Sequence, residues 1–100
     1  MSDFESDSEV LDKVDLQEPG MYNVLLLNDN YTTMDFVVAV LMQIFGKTSE
    51  QAMDIMLSVH EHGKGIAGTY VQDIAETKSN MVHKAAKEYG FPLKTKIERA

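Results

Sequence analysis

The chain has no cysteine. That removes a disulfide framework, thiolate metal ligation and a cysteine nucleophile at once, and it makes a reducing cytoplasm the simplest expectation for compartment. No apolar run approaches the roughly 20 residues that a membrane-crossing helix needs. The acidic start lacks a basic stretch followed by an apolar core, so no signal peptide is expected; it is also too rich in acids for an organelle transit peptide. A stripe of Lys and Arg is missing as well, which argues against nucleic acid as a partner.

What charge there is lies unevenly. The 100 residues carry a formal net charge of −7. Residues 1–20 hold Asp3, Glu5, Asp7, Glu9, Asp12, Asp15 and Glu18 against Lys13, so nearly all the excess belongs to them. With few apolar side chains and Pro19-Gly20 at its end, this stretch reads as a flexible N-terminal extension. A leader that only adds solubility would have the same composition. The remaining eighty residues are nearly neutral and large enough for one small domain, 21–100.

Within that domain the periodicities alternate. Met21–Leu27 is a short apolar run stopped by Asn28-Asp29-Asn30, a strand entering a turn. A helix follows with Thr32 as its cap, Asp35 three residues on, and Met34, Val37, Val38, Leu41, Ile44 and Phe45 at helical spacing before Gly46. Thr48-Ser49-Glu50-Gln51 is a capping box. The helix it opens has Ala52, Ile55, Met56 and Val59 on its inner face, widened by Met53 and Leu57, and stops at Glu61-His62-Gly63. Ile66–Val71 reads as a second strand. A third helix over Gln72–Tyr89 is expected to bury Ile74, Met81, Val82, Ala85 and Ala86 and to end at Gly90, with Pro92 just beyond. Leu93–Glu98 alternates as a half-buried strand. The order β-α-α-β-α-β specifies an α+β domain, a three-stranded antiparallel sheet with three helices on one face.

Several motifs fail on context. Gly63-Lys64-Gly65-Ile66-Ala67-Gly68 spells G-x-G-x-x-G, but a dinucleotide site needs a strand before the glycines and a helix after. Here the order is reversed. His60 and His62 are two residues apart on a helix and point to different sides, and His83 stands among lysines, so no metal site is expected. Ser49 serves a helix start and Ser58 lacks a His–acid pair, which leaves no hydrolytic machinery and no catalytic residue. No cofactor is implied.

One constellation remains. Met56, Val59 and His60 share a helix face at i, i+3 and i+4, as do Met34, Val37 and Val38. If the two helices form a hairpin, an apolar pocket opens between them with Asn28-Asp29-Asn30 at its rim. An ordinary core with a capped rim would use the same residues, since methionine stripes are usually core.

The run Tyr22-Asn23-Val24-Leu25-Leu26-Leu27-Asn28-Asp29-Asn30-Tyr31-Thr32-Thr33-Met34-Asp35-Phe36-Val37-Val38 closely resembles the opening signature of the ClpS adaptors. Ala52 to Gly68, with Ile55-Met56-Leu57-Ser58-Val59-His60, resembles a second block, Ala75-Glu76-Thr77-Lys78 a third and Phe91-Pro92-Leu93 a fourth, in register from about Met21 to Glu98. The resemblance implies a bacterial cytoplasmic adaptor, not an enzyme. Such an adaptor binds proteins whose first residue is Leu, Phe, Tyr or Trp and hands them to the N-terminal domain of the ClpA-type unfoldase of the ClpAP protease. It implies that Asn28, Asp29, Asn30 and His60 meet the substrate α-amino group, and that Leu26, Leu27, Thr32, Met34, Val37, Met56, Val59 and Leu93 wall the pocket. Leu26 and Leu27 cannot contribute equally, because successive strand residues face opposite ways. Met34 stands where the family has a steric gatekeeper against β-branched side chains. Asp73, Glu76 and Lys78 would meet the unfoldase, and the N-terminal extension would engage it during delivery. One departure is visible: the family's acid after Asn-Asp is here Asn30. Two other readings stay open at this point, a same-fold interaction module without N-terminal recognition and a small hydrolase using His60 and a carboxylate.

Overall fold

A computed structural model describes residues 20–100; the acidic extension, Gly20 apart, lies outside them. Three strands and three helices follow in the order read from the sequence: β1 (Met21–Leu27), α1 (Met34–Gln43), α2 (Ser49–His62), β2 (Lys64–Val71), α3 (Gln72–Tyr89) and β3 (Lys94–Arg99). Both edge strands pair antiparallel with a central β1, in the order β2-β1-β3.

The period-2 alternation of β1 divides the sheet into two faces. Tyr22, Val24 and Leu26 point to the helices and join the core. Asn23, Leu25 and Leu27 point the other way. Their ladder partners share that second face: Leu27 lies between Lys64 and Lys94, Leu25 between Ile66 and Lys96, and Asn23 between Thr69 and Glu98. A register shift between Val24 and Leu25 absorbs Ala67 as a bulge and lets that residue turn into the core.

Both ends of α2 follow from local causes. Thr48 and Gln51 form the capping box, the hydroxyl accepting from the Gln51 amide at 3.1 Å and the Gln51 side chain from the Thr48 amide at 3.0 Å. Gly63 ends α2 in the left-handed region at φ 89°. Gly65 is needed for closeness instead: a Cβ there would stand 2.9 Å from Val59 Cγ2 and 3.0 Å from the Ile55 carbonyl oxygen. A turn and a tight helix–strand contact thus account for two glycines of the G-x-G-x-x-G string, which lies between a preceding helix and a following strand.

Three sequence expectations need correction. The cap of α1 is Thr33, whose hydroxyl accepts from the Phe36 amide at 3.1 Å, and not Thr32; the Thr32 hydroxyl is turned back into the loop, where it donates to the Asp29 carboxylate. Ile74 and Met81 are 45% and 43% exposed. The face of α3 that meets the sheet carries Ala75, Ser79, Val82 and Ala86. Small residues let the helix lie close over the strands, and the buried Ser79 hydroxyl is satisfied by Thr95 of β3. Met53 and Leu57 on α2 are likewise exposed, because the face that meets the core is Ala52, Met56 and Val59 with Ile55 partly buried beside them.

Candidate functional site

The end of β1 is tied to the end of α2. Beyond the strand, the Asn28 amide still donates to the Gly63 carbonyl at 2.9 Å, so the chain leaving the sheet touches the turn that closes the helix. That bond brings Asn28 to the same cavity as His60, which projects from the last turn of α2.

From Asn28 to Thr32 the loop is organised by one carboxylate. Asp29 Oδ1 accepts from the Tyr31 amide at 2.8 Å and the Thr32 amide at 2.7 Å, and its Oδ2 accepts from the Thr32 hydroxyl at 2.7 Å. Burial raises the Asp29 pKa, but the bonds from Thr32 and Tyr31 outweigh it and hold the group below its ordinary value of 3.8. The Asx turn that results delivers the chain to the Thr33 cap and so sets where Met34 begins α1.

Between these elements lies an open cavity of about 270 Å³ lined by Asn28, Asp29, Asn30, Thr32, Met34, Val37, Met56, Val59 and His60. Its floor is apolar and belongs to the core: Val37, Met56 and Val59 are buried. Met34 stands at the lip, half exposed. Asn28, Asn30 and His60 are exposed at the mouth, where two side-chain amide oxygens and an imidazole nitrogen are available as acceptors. Such a site suits a molecule with an apolar body and a cluster of hydrogen-bond donors at one end.

Nine of the twelve residues that the resemblance placed at the pocket therefore line one cavity. The other three do not. Leu26 points to the helix side of the sheet but is wholly enclosed in the core. Leu27, one residue on, falls on the opposite face and lines a separate groove with Pro92 and Lys94. Leu93 packs in the core ahead of β3. The walls thus come from α1, α2 and the loop between β1 and α1.

Asp73 and Glu76 are exposed in the first turns of α3. Lys78 is engaged within the fold: its ammonium donates to the Ile44 carbonyl at 2.7 Å and lies 5.8 Å from the Tyr70 ring centre, tying α3 to the end of α1. The three histidines are apart, as their spacing requires. His60 lines the cavity, His62 lines a groove on the other flank of α2, and His83 meets Thr95 at 3.1 Å. The Ser58 hydroxyl donates to the Lys64 carbonyl at 3.0 Å. Sequence reasoning treated Asp29 as a rim charge and missed its use as the staple of the loop; the Asp-x-x-Thr spacing, an Asx-turn pattern, is the signal that would have found it.

Residues 17–96 match the family model of the ATP-dependent Clp protease adaptor protein ClpS. Curated relatives named ATP-dependent Clp protease adapter protein ClpS include one from Lawsonia intracellularis, 54% identical over 94% of this chain and 86% of the relative. Another, from Oleidesulfovibrio alaskensis, is 56% identical over 92% of this chain and 88% of the relative. Among solved structures, ClpS2 of Agrobacterium tumefaciens bound to L-phenylalaninamide superposes with a TM-score of 0.80 at 36% identity, over 83% of this chain and all of that one.

Proposed function

The chain belongs to the ClpS family of ATP-dependent Clp protease adaptor proteins, and from that premise we propose that its cavity receives the first residue of proteins beginning with Leu, Phe, Tyr or Trp. The adaptor then delivers the bound protein to the N-terminal domain of a ClpA-type unfoldase in the bacterial cytoplasm and performs no chemistry of its own.

A single observation carries this reading: acceptors of three residues at the mouth of a cavity whose floor is buried and apolar. A free α-amino group, with a pKa near 8, is mostly ammonium at neutral pH and offers three donors. Asn28 and His60 accept from it directly, and Asn30 completes the rim with an amide where the family carries an acid. Asp29 acts behind them, since its oxygens already serve the loop. The side chain of the first residue lies on Val37, Met56 and Val59, with Thr32 and Met34 at the sides. Burying a Leu or Phe side chain contributes roughly 1.5–3 kcal/mol, and a hydrogen bond to a charged group roughly 1.5–3 kcal/mol. Neither alone gives micromolar binding, which needs about 8 kcal/mol. Both ends of the residue must therefore be engaged, and an internal leucine, lacking the ammonium, is refused.

The solved relative that holds L-phenylalaninamide supports the reading, because that ligand joins a free amine to a large apolar side chain. On the unfoldase side, Asp73 and Glu76 offer exposed carboxylates on α3, and Lys78 stands at their border with its ammonium already committed to Ile44. Binding of a peptide panel that varies only its first residue tests the proposal. Binding of Leu, Phe, Tyr and Trp peptides with refusal of Ala and Glu is expected; equal binding of all would overturn it.

A further inference from the structure

The sheet face turned away from the helices has an unusual charge for this protein. Lys64, Lys94 and Lys96 all project from it, and among the described residues its only carboxylate is Glu98, paired with Lys96 at 3.1 Å. Residues 21–100 hold eight basic residues in all, so three on one small face is a concentration. Between the lysines the face is apolar. Ile66 is half exposed and Leu27 partly exposed, while Leu25 between them is buried. Leu25, Ile66, Lys64 and Glu98 edge a groove of about 550 Å³ whose far side is the flank of α2, with Asp54 and His62 on it.

We propose that this face is the docking surface for the chain's own N-terminal segment, residues 1–19. Three observations select that occupant. The segment carries seven acids and one lysine, opposite in sign to the face. It also carries Val10, Leu11, Val14 and Leu16, which match the apolar surface that Ile66 and Leu27 leave open on the face. And it joins the sheet at the right place, through Pro19-Gly20 into Met21, a turn dipeptide at the start of the central strand. Retracing the seven residues of β1 takes about 23 Å, while nineteen extended residues reach roughly 60 Å. A segment that doubles back brings Asp15 and Asp12 over Lys96, Lys64 and Lys94. Tethering supplies an effective concentration of about millimolar, so weak charge pairs and a little buried area are enough. The contact is electrostatic and yields to salt or to a stronger partner.

The absence of cysteine makes the test direct. Ser8→Cys gives the full-length chain a unique thiol for a nitroxide label, and loss of amide signal in isotope-enriched protein maps its neighbourhood. At low ionic strength the amides of Leu27, Lys64, Ile66 and Lys96 lose intensity, while those of Asn80 and Lys84 on α3 keep it. The loss is reversed toward 1 M salt, where the Debye length is about 3 Å, and in the variant carrying Lys64→Gln, Lys94→Gln and Lys96→Gln. Mixing spin-labelled, unenriched chain with enriched, unlabelled chain leaves the spectrum unchanged. Loss confined to residues beside Met21, loss over Phe36 and Tyr89, indifference to salt and to the lysine variant, or loss in the mixed sample would each overturn the proposal.

Discussion

Asp29 holds Thr32 twice, accepting from its amide and from its hydroxyl, both at 2.7 Å. A residue at the cavity rim therefore spends its charge on the loop and not on the opening. Asp29→Ala is expected to cost about 1–2 kcal/mol of stability, measured by urea unfolding, because the Tyr31 and Thr32 donors lose a charged partner. Asp29→Asn, which keeps one acceptor oxygen, should cost less. Both should weaken a Leu-initiated peptide through the misplaced rim. An Ala variant with unchanged stability and affinity would show that the loop does not need its staple.

The same carboxylate sets a pH limit. Its folded pKa lies below the ordinary 3.8, so its stabilising contribution is complete above the unfolded value and is lost as pH falls through the lower folded one. The Tyr31 and Thr32 amides should thus stay protected against hydrogen exchange down to about pH 4 and open below it. Opening of these amides already at about pH 5, with the rest of the fold intact, would contradict the assignment.

Gly65→Ala tests the contact that carries His60. The added Cβ would meet the Ile55 backbone oxygen at 3.0 Å and Val59 Cγ2 at 2.9 Å, and a carbonyl cannot swing aside as a side-chain tip can. A loss of about 1–3 kcal/mol is expected, with weaker peptide binding because Val59 and His60 shift together. Thermal unfolding and peptide titration of the variant decide it; wild-type values in both would mean that α2 and β2 are less tightly apposed.

Met34→Ala removes the side chain at the lip of the cavity. Binding of Ile- and Val-initiated peptides should rise toward that of Leu, because a branch at Cβ then meets open space. If Leu and Phe peptides weaken and Ile and Val do not improve, Met34 is a wall and not a gatekeeper.

Asn30→Asp restores a charge on an exposed rim. Exposed pairs contribute about 0.2–1 kcal/mol, so affinity should rise up to about fivefold at low salt and by less as salt screens the rim. An unchanged affinity at low salt would mean that position 30 does not face the amine.

Much of this was legible in the sequence. The capping box at Thr48 and Gln51, the glycine stops and the alternation of β1 are local signals, and local signals fix elements and order. The face of α2 at the cavity was legible in part, because Met56, Val59 and His60 share it by spacing, though an ordinary core would show the same spacing. What failed was tertiary. Ile74 and Met81 are apolar at helical spacing, yet the part of α3 that meets the sheet is chosen by how closely the helix can approach, and that favours Ala75, Ser79, Val82 and Ala86. Leu26, Leu27 and Leu93 were carried to the pocket by resemblance, and strand alternation with core packing takes them elsewhere. Spacing alone could not show that Asp29 holds both the amide and the hydroxyl of Thr32 in the loop and leaves the cap to Thr33.

The central claim is that the cavity reads a free amino terminus together with an apolar side chain. It is tested most directly by titrating one Leu-initiated peptide in its free and its N-acetylated form. Acetylation removes the charge and two of the three donors while leaving the side chain intact. The acetylated peptide should bind at least about tenfold more weakly, roughly 1.4 kcal/mol. Equal affinity for the two forms would contradict the account.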